Sequence, residues 1–172
     1  MIDKKIAELI NVQVNKELFS AYLYLEFANY YEAEGLDGFA NWYQVQAQEE
    51  RDHAMMFRRF LLDNGVRVTF DAIDKPDKIA KKHDDPLAFG YEHEKYVTSL
   101  INTIYAEAFK LHDFKTMQFL DWFIKEQGEE EKNAEDMLRK FELFGHDAKG
   151  LYALNQELGA RVYAASTTGP AM

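Results

Sequence analysis

The stretch from Gln48 to Phe57 reads QEERDHAMMF and contains a glutamate and a histidine three residues apart, Glu50 and His53. On an α-helix, residues three apart share a face, so both side chains point in the same direction. Apolar positions around the pair repeat with helical spacing and form one stripe. That stripe consists of Phe39, Trp42, Tyr43, Gln46, Glu50, His53, Phe57, Phe60 and Leu61. We therefore expect a carboxylate and an imidazole to face the core of a helical protein, where such a pair commonly binds a metal ion.

Three further segments carry the same kind of apolar stripe, and each stripe is interrupted by one or two polar residues. A single glutamate on such a stripe is usually a side chain that reaches outward to solvent. Polar residues interrupt the stripe on all four segments, which indicates that these residues belong to one common site. The stripes are Ile6, Ile10, Gln13, Val14, Glu17, Ala21, Tyr24, Ala28 and Tyr31; Leu87, Tyr91, Glu94, Val97, Ile101, Ile104, Ala108 and Leu111; and Leu120, Phe123, Gln127, Glu130, Ala134, Met137 and Phe141.

The order of these segments predicts an all-α fold, an antiparallel four-helix bundle with one long crossover and a short C-terminal fifth helix. Short turns should make the first and second helices, and the third and fourth, antiparallel neighbours. A crossover of about 20 residues can span roughly 65 Å, enough to follow the whole bundle and start the third helix parallel to the second. We predict a single domain over residues 1–165 and a flexible tail over 166–172. The predicted helices are 4–32, 39–63, 86–112, 114–144 and 148–162, with the crossover over 65–84.

The polar stripe residues should meet at the middle of the bundle. Glu17 and Glu50 are about equally far in sequence from the turn that joins the first two helices. Glu94 and Glu130 are likewise about equally far from the turn that joins the third and fourth helices. In antiparallel helices, such equidistant residues lie side by side. The sequence therefore predicts one buried cluster formed by Glu17, Glu50, His53, Glu94, Gln127 and Glu130.

The chemistry of this cluster indicates a pair of metal ions. Carboxylates in a poorly solvated core repel one another and lose hydration, at a cost of roughly several kcal/mol each unless a cation compensates them. Two divalent cations would balance the charge of the four glutamates. The chain has no cysteine, which excludes thiolate ligands, disulfides and iron–sulfur clusters. A carboxylate-rich set with one imidazole suits Fe(II) or Mn(II) better than a structural zinc site.

Composition limits the other classes of function. The 172 residues are 47% hydrophobic and carry a net charge of −10, which favours a packed domain and argues against binding to nucleic acid or an anionic membrane. The N-terminal stretch MIDKKIAELI is charged and lacks the continuous apolar segment of a signal peptide. No apolar run in the sequence reaches the length of a membrane span. We therefore expect a cytoplasmic protein.

These motifs resemble those of the bacterial non-haem ferritins, members of the ferritin-like di-iron carboxylate family, over about residues 1–165. The resemblance implies two irons per chain. One is held by Glu17, Glu50 and His53. Glu50 also bridges to the second iron, which Glu94 and Glu130 hold, and the glutamine of the fourth-helix Gln-x-x-Glu motif lines the centre.

The same resemblance extends to residues around the centre. Glu49, Glu126 and Glu129 resemble the acidic residues of a third, weaker iron site in bacterial ferritins. Tyr24 resembles the tyrosine beside the di-iron centre, and Trp122 resembles a nearby tryptophan. Both aromatic residues could instead be ordinary core residues, the interpretation that the sequence favours for Trp122.

By resemblance, the function is ferroxidase activity and iron storage. Fe(II) is oxidised to Fe(III) by O₂ or H₂O₂ at the centre and is then stored as a mineral inside a homo-oligomeric shell of 24 subunits. The fifth helix has one apolar face and, in the predicted bundle, nothing left in its own chain to cover. We therefore expect this helix to pack around the four-fold axes of the shell.

A haem-binding, bacterioferritin-like protein and a peroxide-detoxifying di-iron bundle are the alternatives. Bacterioferritin repeats Glu-x-x-His on its fourth helix and has a methionine directly after the glutamate of the second-helix motif. Here the fourth helix carries Gln127-x-x-Glu130, and Arg51 follows Glu50, so no haem is expected.

Rubrerythrin-type peroxide reductases need a cysteine-bound iron, and this chain has no cysteine. The DNA-protecting miniferritins place their iron between subunits and lack a set of ligands within one bundle. A purely structural cage with an inactive centre would be separated from a ferroxidase only by a metal-binding assay. The remaining histidines, His83, His93, His112 and His146, fall off the stripes and are predicted to lie at the surface.

Overall fold

Five α-helices form the architecture of residues 2–165, which are the residues that the computed structural model describes. They are α1 Lys4–Ala33, α2 Asp37–Asp63, α3 Asp85–Lys110, α4 Phe114–Phe144 and α5 Ala148–Gly159. The predicted all-α bundle with a short fifth helix is confirmed. The predicted flexible tail, 166–172, lies outside the described residues. Within the described part of the chain, none of the helices has both the length and the apolar composition that crossing a membrane requires.

The long connection between α2 and α3 follows the whole length of α1. Near the start of α1, Asn11 exchanges hydrogen bonds with Thr69, at 2.9 Å to its carbonyl oxygen and 3.0 Å from its backbone N–H. Near the end of α1, the Tyr31 hydroxyl donates to the carbonyl oxygen of His83 at 2.6 Å. The connection therefore returns the chain to the end of the bundle at which α2 begins, and α3 runs parallel to α2.

The turn between α3 and α4 is longer than predicted, with residues 111–113 between the two helices. Helix α3 ends at Lys110 rather than at residue 112, because His112 adopts a left-handed conformation with φ of 54°. Asp113 then caps α4, since its side-chain oxygen accepts a hydrogen bond from the backbone N–H of Thr116 at 3.1 Å.

Helix α5 packs on its own bundle, so the prediction that its apolar face has nothing to cover there is wrong. Leu154 is buried in the core of the same chain. The Asn155 side chain accepts hydrogen bonds from the backbone N–H groups of Gly38 at 2.8 Å and Phe39 at 3.2 Å, and thereby caps α2. A Cβ at Gly38 would lie 1.7 Å from the carbonyl oxygen of Asn155, so only glycine permits this approach. The helix also ends earlier than predicted, at Gly159 rather than residue 162.

Two apolar clusters fill the two halves of the bundle and leave a polar layer between them. The first is built around Ile6, Ile10, Ala54, Phe57, Leu61, Ile101, Ile104, Phe119, Leu120 and Phe123. The second contains more tyrosine and includes Tyr24, Phe27, Tyr31, Phe39, Tyr43, Leu87, Met137, Phe141 and Leu154. Their packing keeps the layer between them out of contact with bulk water.

Candidate metal centre

The polar layer contains the six side chains that the stripes predicted. They come from four different helices, and each is 5% exposed or less. Ligand atoms of Glu17, Glu50 and His53 lie within 4.8 Å of one another, as do ligand atoms of His53, Glu126 and Glu130. The side chains of the layer are Glu17, Glu50, His53, Glu94, Gln127 and Glu130.

Two buried glutamines orient the carboxylates of α1, α2 and α4. The Gln13 amide donates to Glu17 Oε1 at 2.7 Å. The Gln46 amide donates to Glu50 Oε1 at 3.1 Å and to Glu130 Oε2 at 2.8 Å. Both glutamines stand four residues before a glutamate on the same helix, a spacing at which side chains meet. Neutral amides thus hold three carboxylates without neutralising them.

The carboxylate of α3 has two neutral donors of its own. The Gln127 amide donates to Glu94 Oε2 at 3.2 Å, and the hydroxyl of Tyr24 donates to Glu94 Oε1. Gln127 therefore orients a neighbouring carboxylate across the α3–α4 contact. Tyr24 is buried and contacts the centre directly.

Among residues 2–165, two buried atoms of the centre have no hydrogen-bond partner, Oε2 of Glu17 and Nδ1 of His53. Nδ1 of His53 lies 3.5 Å from Glu50 Oε2 without forming a hydrogen bond to it. A buried polar atom without a partner costs roughly 1–3 kcal/mol. Both atoms are metal-ligand types and belong to the same three-residue group, so a cation bound there would satisfy both. The residues present fit a divalent metal ion.

No ion pair joins a lysine or arginine to any carboxylate of this layer within residues 2–165. Burial, reinforced by the charge of Glu50, raises the pKa of Glu94 to about 8 and the pKa of Glu17 well above its usual range. Burial and the charge of Glu94 likewise raise the pKa of Glu130 well above its usual range. The carboxylates therefore resist becoming fully ionised while no cation is present.

Glu50 and His53 behave differently from the other members of the layer. Burial opposes the charge of both, but their contact with each other outweighs it. The pKa of the Glu50 carboxyl is lowered by His53, and Glu50 raises the pKa of His53 to about 10. In the metal-free protein they form an imidazolium–carboxylate pair, and metal binding must displace the imidazolium proton.

The three predicted third-site residues are not assembled into one group. Glu126 lies beside the centre, near His53 and Glu130. Glu49 forms an ion pair with Arg161, with Oε2 2.5 Å from Nη2, and exposed Glu129 pairs with Lys125 at 3.2 Å. Two of the three carboxylates thus form ion pairs with basic side chains of the same chain.

The aromatic and histidine predictions have mixed outcomes. Trp122 packs its ring edge-on against the His53 ring, with centroids 5.6 Å apart. His112 and His146 are exposed, as predicted, and His83 is partly exposed near Glu34.

The prediction of a surface position is wrong for His93. Its side chain is partly buried, and its Nε2 lies 2.7 Å from the hydroxyl of Ser20, which is fully buried. The contacts with Ser20 and with the ring of Phe19 show that the His93 ring faces α1. Sequence periodicity missed Ser20, which lies beside the predicted stripe.

The chain matches the family model described as a ferritin-like domain over residues 7–144. A probable bacterial non-heme ferritin-like protein of Haemophilus influenzae is 33% identical over 159 residues, which cover 92% of this chain and 96% of that protein. A bacterial non-heme ferritin of Staphylococcus aureus is 34% identical over 167 residues, covering 95% and 98%.

Solved structures agree with these sequence matches. An engineered closed form of the Archaeoglobus fulgidus ferritin superposes with a TM-score of 0.93 at 40% identity, covering 95% of this chain and 100% of that one. The open-pore ferritin of the same archaeon superposes with a TM-score of 0.92, also at 40% identity, covering 94% and 100%.

Proposed function

The chain belongs to the ferritin family, and from this premise we propose that it oxidises Fe(II) at the mid-bundle centre and stores the Fe(III) product as a mineral. The storage compartment is the interior of a hollow shell of identical subunits, 24 in the assembly that the sequence resemblance implies. The expected location is the cytoplasm.

The observation that carries this proposal is a buried set of carboxylates that, within residues 2–165, has no lysine or arginine counter-ion. In the described part of the chain, the four buried carboxylates accept hydrogen bonds only from amide and hydroxyl donors, and two ligand atoms have no partner. A core with this arrangement is stable mainly when cations enter it. Iron is here the substrate, and the site must both accept it and release it.

The residues then divide between two positions. Glu17, Glu50 and His53, whose ligand atoms lie within 4.8 Å of one another, hold one Fe(II). By the resemblance of the motifs, Glu50 also serves a second Fe(II) together with Glu94 and Glu130, which are buried in the same layer. Two Fe(II) ions supply two electrons, which together with two protons reduce O₂ to H₂O₂ or H₂O₂ to two water molecules. Carboxylates stabilise the more highly charged Fe(III) product more than Fe(II), so the ligand set favours oxidation.

The second group of ligand atoms suggests how the product leaves. Glu126 is partly exposed, while His53 and Glu130 beside it are buried. An Fe(III) ion that moves toward Glu126 exchanges a buried position for a more hydrated one. Glu126 is thus the proposed first step from the centre toward the mineral.

An anaerobic Fe(II) titration of sized metal-free protein tests both chemistry and assembly. We expect two tight irons per chain, on a particle of roughly half a megadalton given a chain mass of 20.1 kDa. In air, Glu50→Ala should abolish rapid Fe(II) oxidation because both irons lose a shared ligand, while the particle size stays the same.

Glu129→Ala is the matched control, since it also removes one glutamate but from an exposed position on α4. It should oxidise Fe(II) at close to the wild-type rate. Wild-type oxidation by Glu50→Ala, or fewer than two tight irons in the unmodified protein, would contradict the proposal. Measuring O₂ and H₂O₂ consumption in the same assay identifies the oxidant.

A further inference from the structure

The guanidinium of Arg161, which lies shortly after α5, has a defined position against α2. It donates to Gln46 Oε1 through Nη1 at 2.9 Å and to Glu49 Oε2 through Nη2 at 2.5 Å. It also lies over the ring of Trp42, 4.3 Å from the centroid. Two hydrogen bonds from different nitrogens, together with an aromatic face, leave a planar guanidinium little freedom to rotate. Arg161 therefore presents a fixed donor to the Gln46 side chain.

Gln46 is buried between this guanidinium and the metal centre, and contacts both. Its amide nitrogen donates to Glu50 Oε1 at 3.1 Å and to Glu130 Oε2 at 2.8 Å. A reversed amide would place its oxygen against these two carboxylates. It would also place its nitrogen against the guanidinium, which has donors and no acceptor. The contacts on the two sides of Gln46 therefore select the same orientation of its amide.

Arg161 supplies what the carboxylates cannot, a donor for the buried oxygen of Gln46. Within residues 2–165, the Arg161 guanidinium is the donor to that oxygen. A buried acceptor that loses its partner is unfavourable, and the amide can recover one only by turning away from Glu50 and Glu130. A charged donor also polarises the amide, which strengthens the donation of its nitrogen to the carboxylates. Gln46 transmits this effect and keeps the guanidinium out of contact with the two metal ligands.

The backbone of the same segment is attached to α2 by a different side chain. The Asn41 amide donates to the carbonyl oxygen of Arg161 at 3.0 Å and to those of Leu158 and Gly159 at 3.4 and 3.5 Å. These contacts involve backbone atoms, so their removal leaves the hydrogen bonds of the guanidinium in place. Asn41 can therefore separate the anchoring of the segment from the action of Arg161 on Gln46.

We propose that Arg161 is a positioning residue of the metal centre: through the Gln46 amide, its guanidinium holds Glu50 and Glu130 in the orientation that receives metal ions. The inference rests on the proposed function, in which these two carboxylates are metal ligands. Arg161 acts on the ligands through Gln46 and does not itself bind metal. Removing a group that orients metal ligands commonly weakens metal binding by about 10- to 100-fold.

Calorimetric titration of the metal-free assembled protein with Zn(II), which cannot be oxidised, tests the role of Arg161. Arg161→Gln should weaken the second Zn(II) by about tenfold. The second position should be affected most, because Glu50 and Glu130 both belong to it. Asn41→Ala is the matched control and should bind both Zn(II) ions with close to wild-type affinity. The visible absorption of bound Co(II), which reports coordination geometry, should change in Arg161→Gln and stay unchanged in Asn41→Ala.

A double-mutant cycle shows whether the effect passes through Gln46. Gln46→Leu removes both the donor and the acceptor of the amide and should weaken the second Zn(II) by about tenfold or more. Adding Arg161→Gln to Gln46→Leu should then cause no further loss, because the coupling partner is already gone. If Gln46→Leu does not assemble, the contrast between Arg161→Gln and Asn41→Ala decides alone.

Unchanged Zn(II) affinity and Co(II) absorption in Arg161→Gln would overturn the inference. An equal loss of affinity in Asn41→Ala would also overturn it, as would a full further loss when Arg161→Gln is added to Gln46→Leu. These results leave the proposed function intact where the wild type binds two metal ions per chain. A wild-type protein without tight metal binding instead overturns the proposed function itself.

Discussion

Two neighbouring groups of carboxylates in this protein are stabilised in different ways. The central group is buried between two apolar clusters and accepts hydrogen bonds from neutral amides and a phenol. In the peripheral group, Glu49 pairs with Arg161 and Glu129 pairs with Lys125. The central group consists of Glu17, Glu50, Glu94 and Glu130. We use peripheral group for Glu49, Glu126 and Glu129, which lie outside the central layer and are not in contact as one cluster.

The difference shows what a metal-accepting core requires. A resident lysine or arginine would neutralise the central carboxylates permanently and compete with every arriving cation. Neutral donors such as Gln13 and Gln46 fix the geometry and leave the charge available. The metal-free protein therefore carries an electrostatic cost at its centre, which the apolar packing on both sides must offset.

The largest expected effect is stabilisation by metal. At a free Zn(II) concentration of about 1,000 times the dissociation constant, binding adds about 4 kcal/mol to the free energy of unfolding. For a chain of this size, that raises the unfolding midpoint by roughly 10 °C. Differential scanning calorimetry at fixed protein concentration, with and without Zn(II), measures the shift.

Glu50→Ala should lose most of this shift, because Glu50 serves both proposed metal positions. Glu129→Ala should keep it, since that carboxylate belongs to the peripheral group. Equal shifts of the unfolding midpoint by Zn(II) in the two variants would show that the central and peripheral carboxylates do not differ in metal binding.

The second effect is a pH dependence that arises in the central group. The pKa of Glu94, raised from its usual 4.5 to about 8, means that the folded state holds a proton which the unfolded state releases. The resulting stability is fully present below pH 4.5 and is lost as the pH rises to 8. His53, with its pKa raised from 6.5 to about 10, loses its contribution in the same direction above pH 6.5.

The metal-free protein should therefore be less stable at pH 8 than at pH 6, by about 4 kcal/mol in the free energy of unfolding, of which Glu94 and His53 each contribute about half. Glu94→Gln resembles the protonated carboxyl, so its stability should fall less over the same interval. Urea denaturation at both pH values measures the change. Two results would contradict this prediction: a wild-type free energy of unfolding that rises from pH 6 to pH 8, or an equal fall for wild type and Glu94→Gln. Either would show that ionising the buried carboxylates does not destabilise the folded protein.

Much of the central group could be predicted from local periodicity, and the peripheral group could not. The stripe residues follow from helical spacing, and equal distances from two turns place them at one level. Gln13 and Gln46 also lie on the predicted stripes, and their four-residue spacing before Glu17 and Glu50 is a signal for their role as orienting donors.

Arg161 gave no such signal. Its contact with Glu49 joins residues 112 positions apart and depends on the path of the chain after α5. That path is set by the close packing of α5 on Gly38, a tertiary contact that periodicity does not encode. The same contact explains why α5 covers its own bundle, contrary to the prediction. Likewise, the early end of α3 depends on the left-handed conformation of His112, which is uncommon for a residue other than glycine.

The smallest expected effect distinguishes a donor of the central group from an ordinary core hydroxyl. Tyr24→Phe removes the phenol that donates to Glu94, whereas Tyr31→Phe removes one that donates to the His83 carbonyl, away from the centre. Both variants should lose about 1 kcal/mol in the free energy of unfolding, since each gives up one buried hydrogen bond. Tyr24→Phe alone should slow Fe(II) oxidation several-fold, because Glu94 becomes a less well-oriented ligand. Stopped-flow oxidation and urea denaturation of the two variants provide the comparison. If both oxidise Fe(II) at the wild-type rate, Tyr24 is a core aromatic whose hydroxyl has no part in the chemistry.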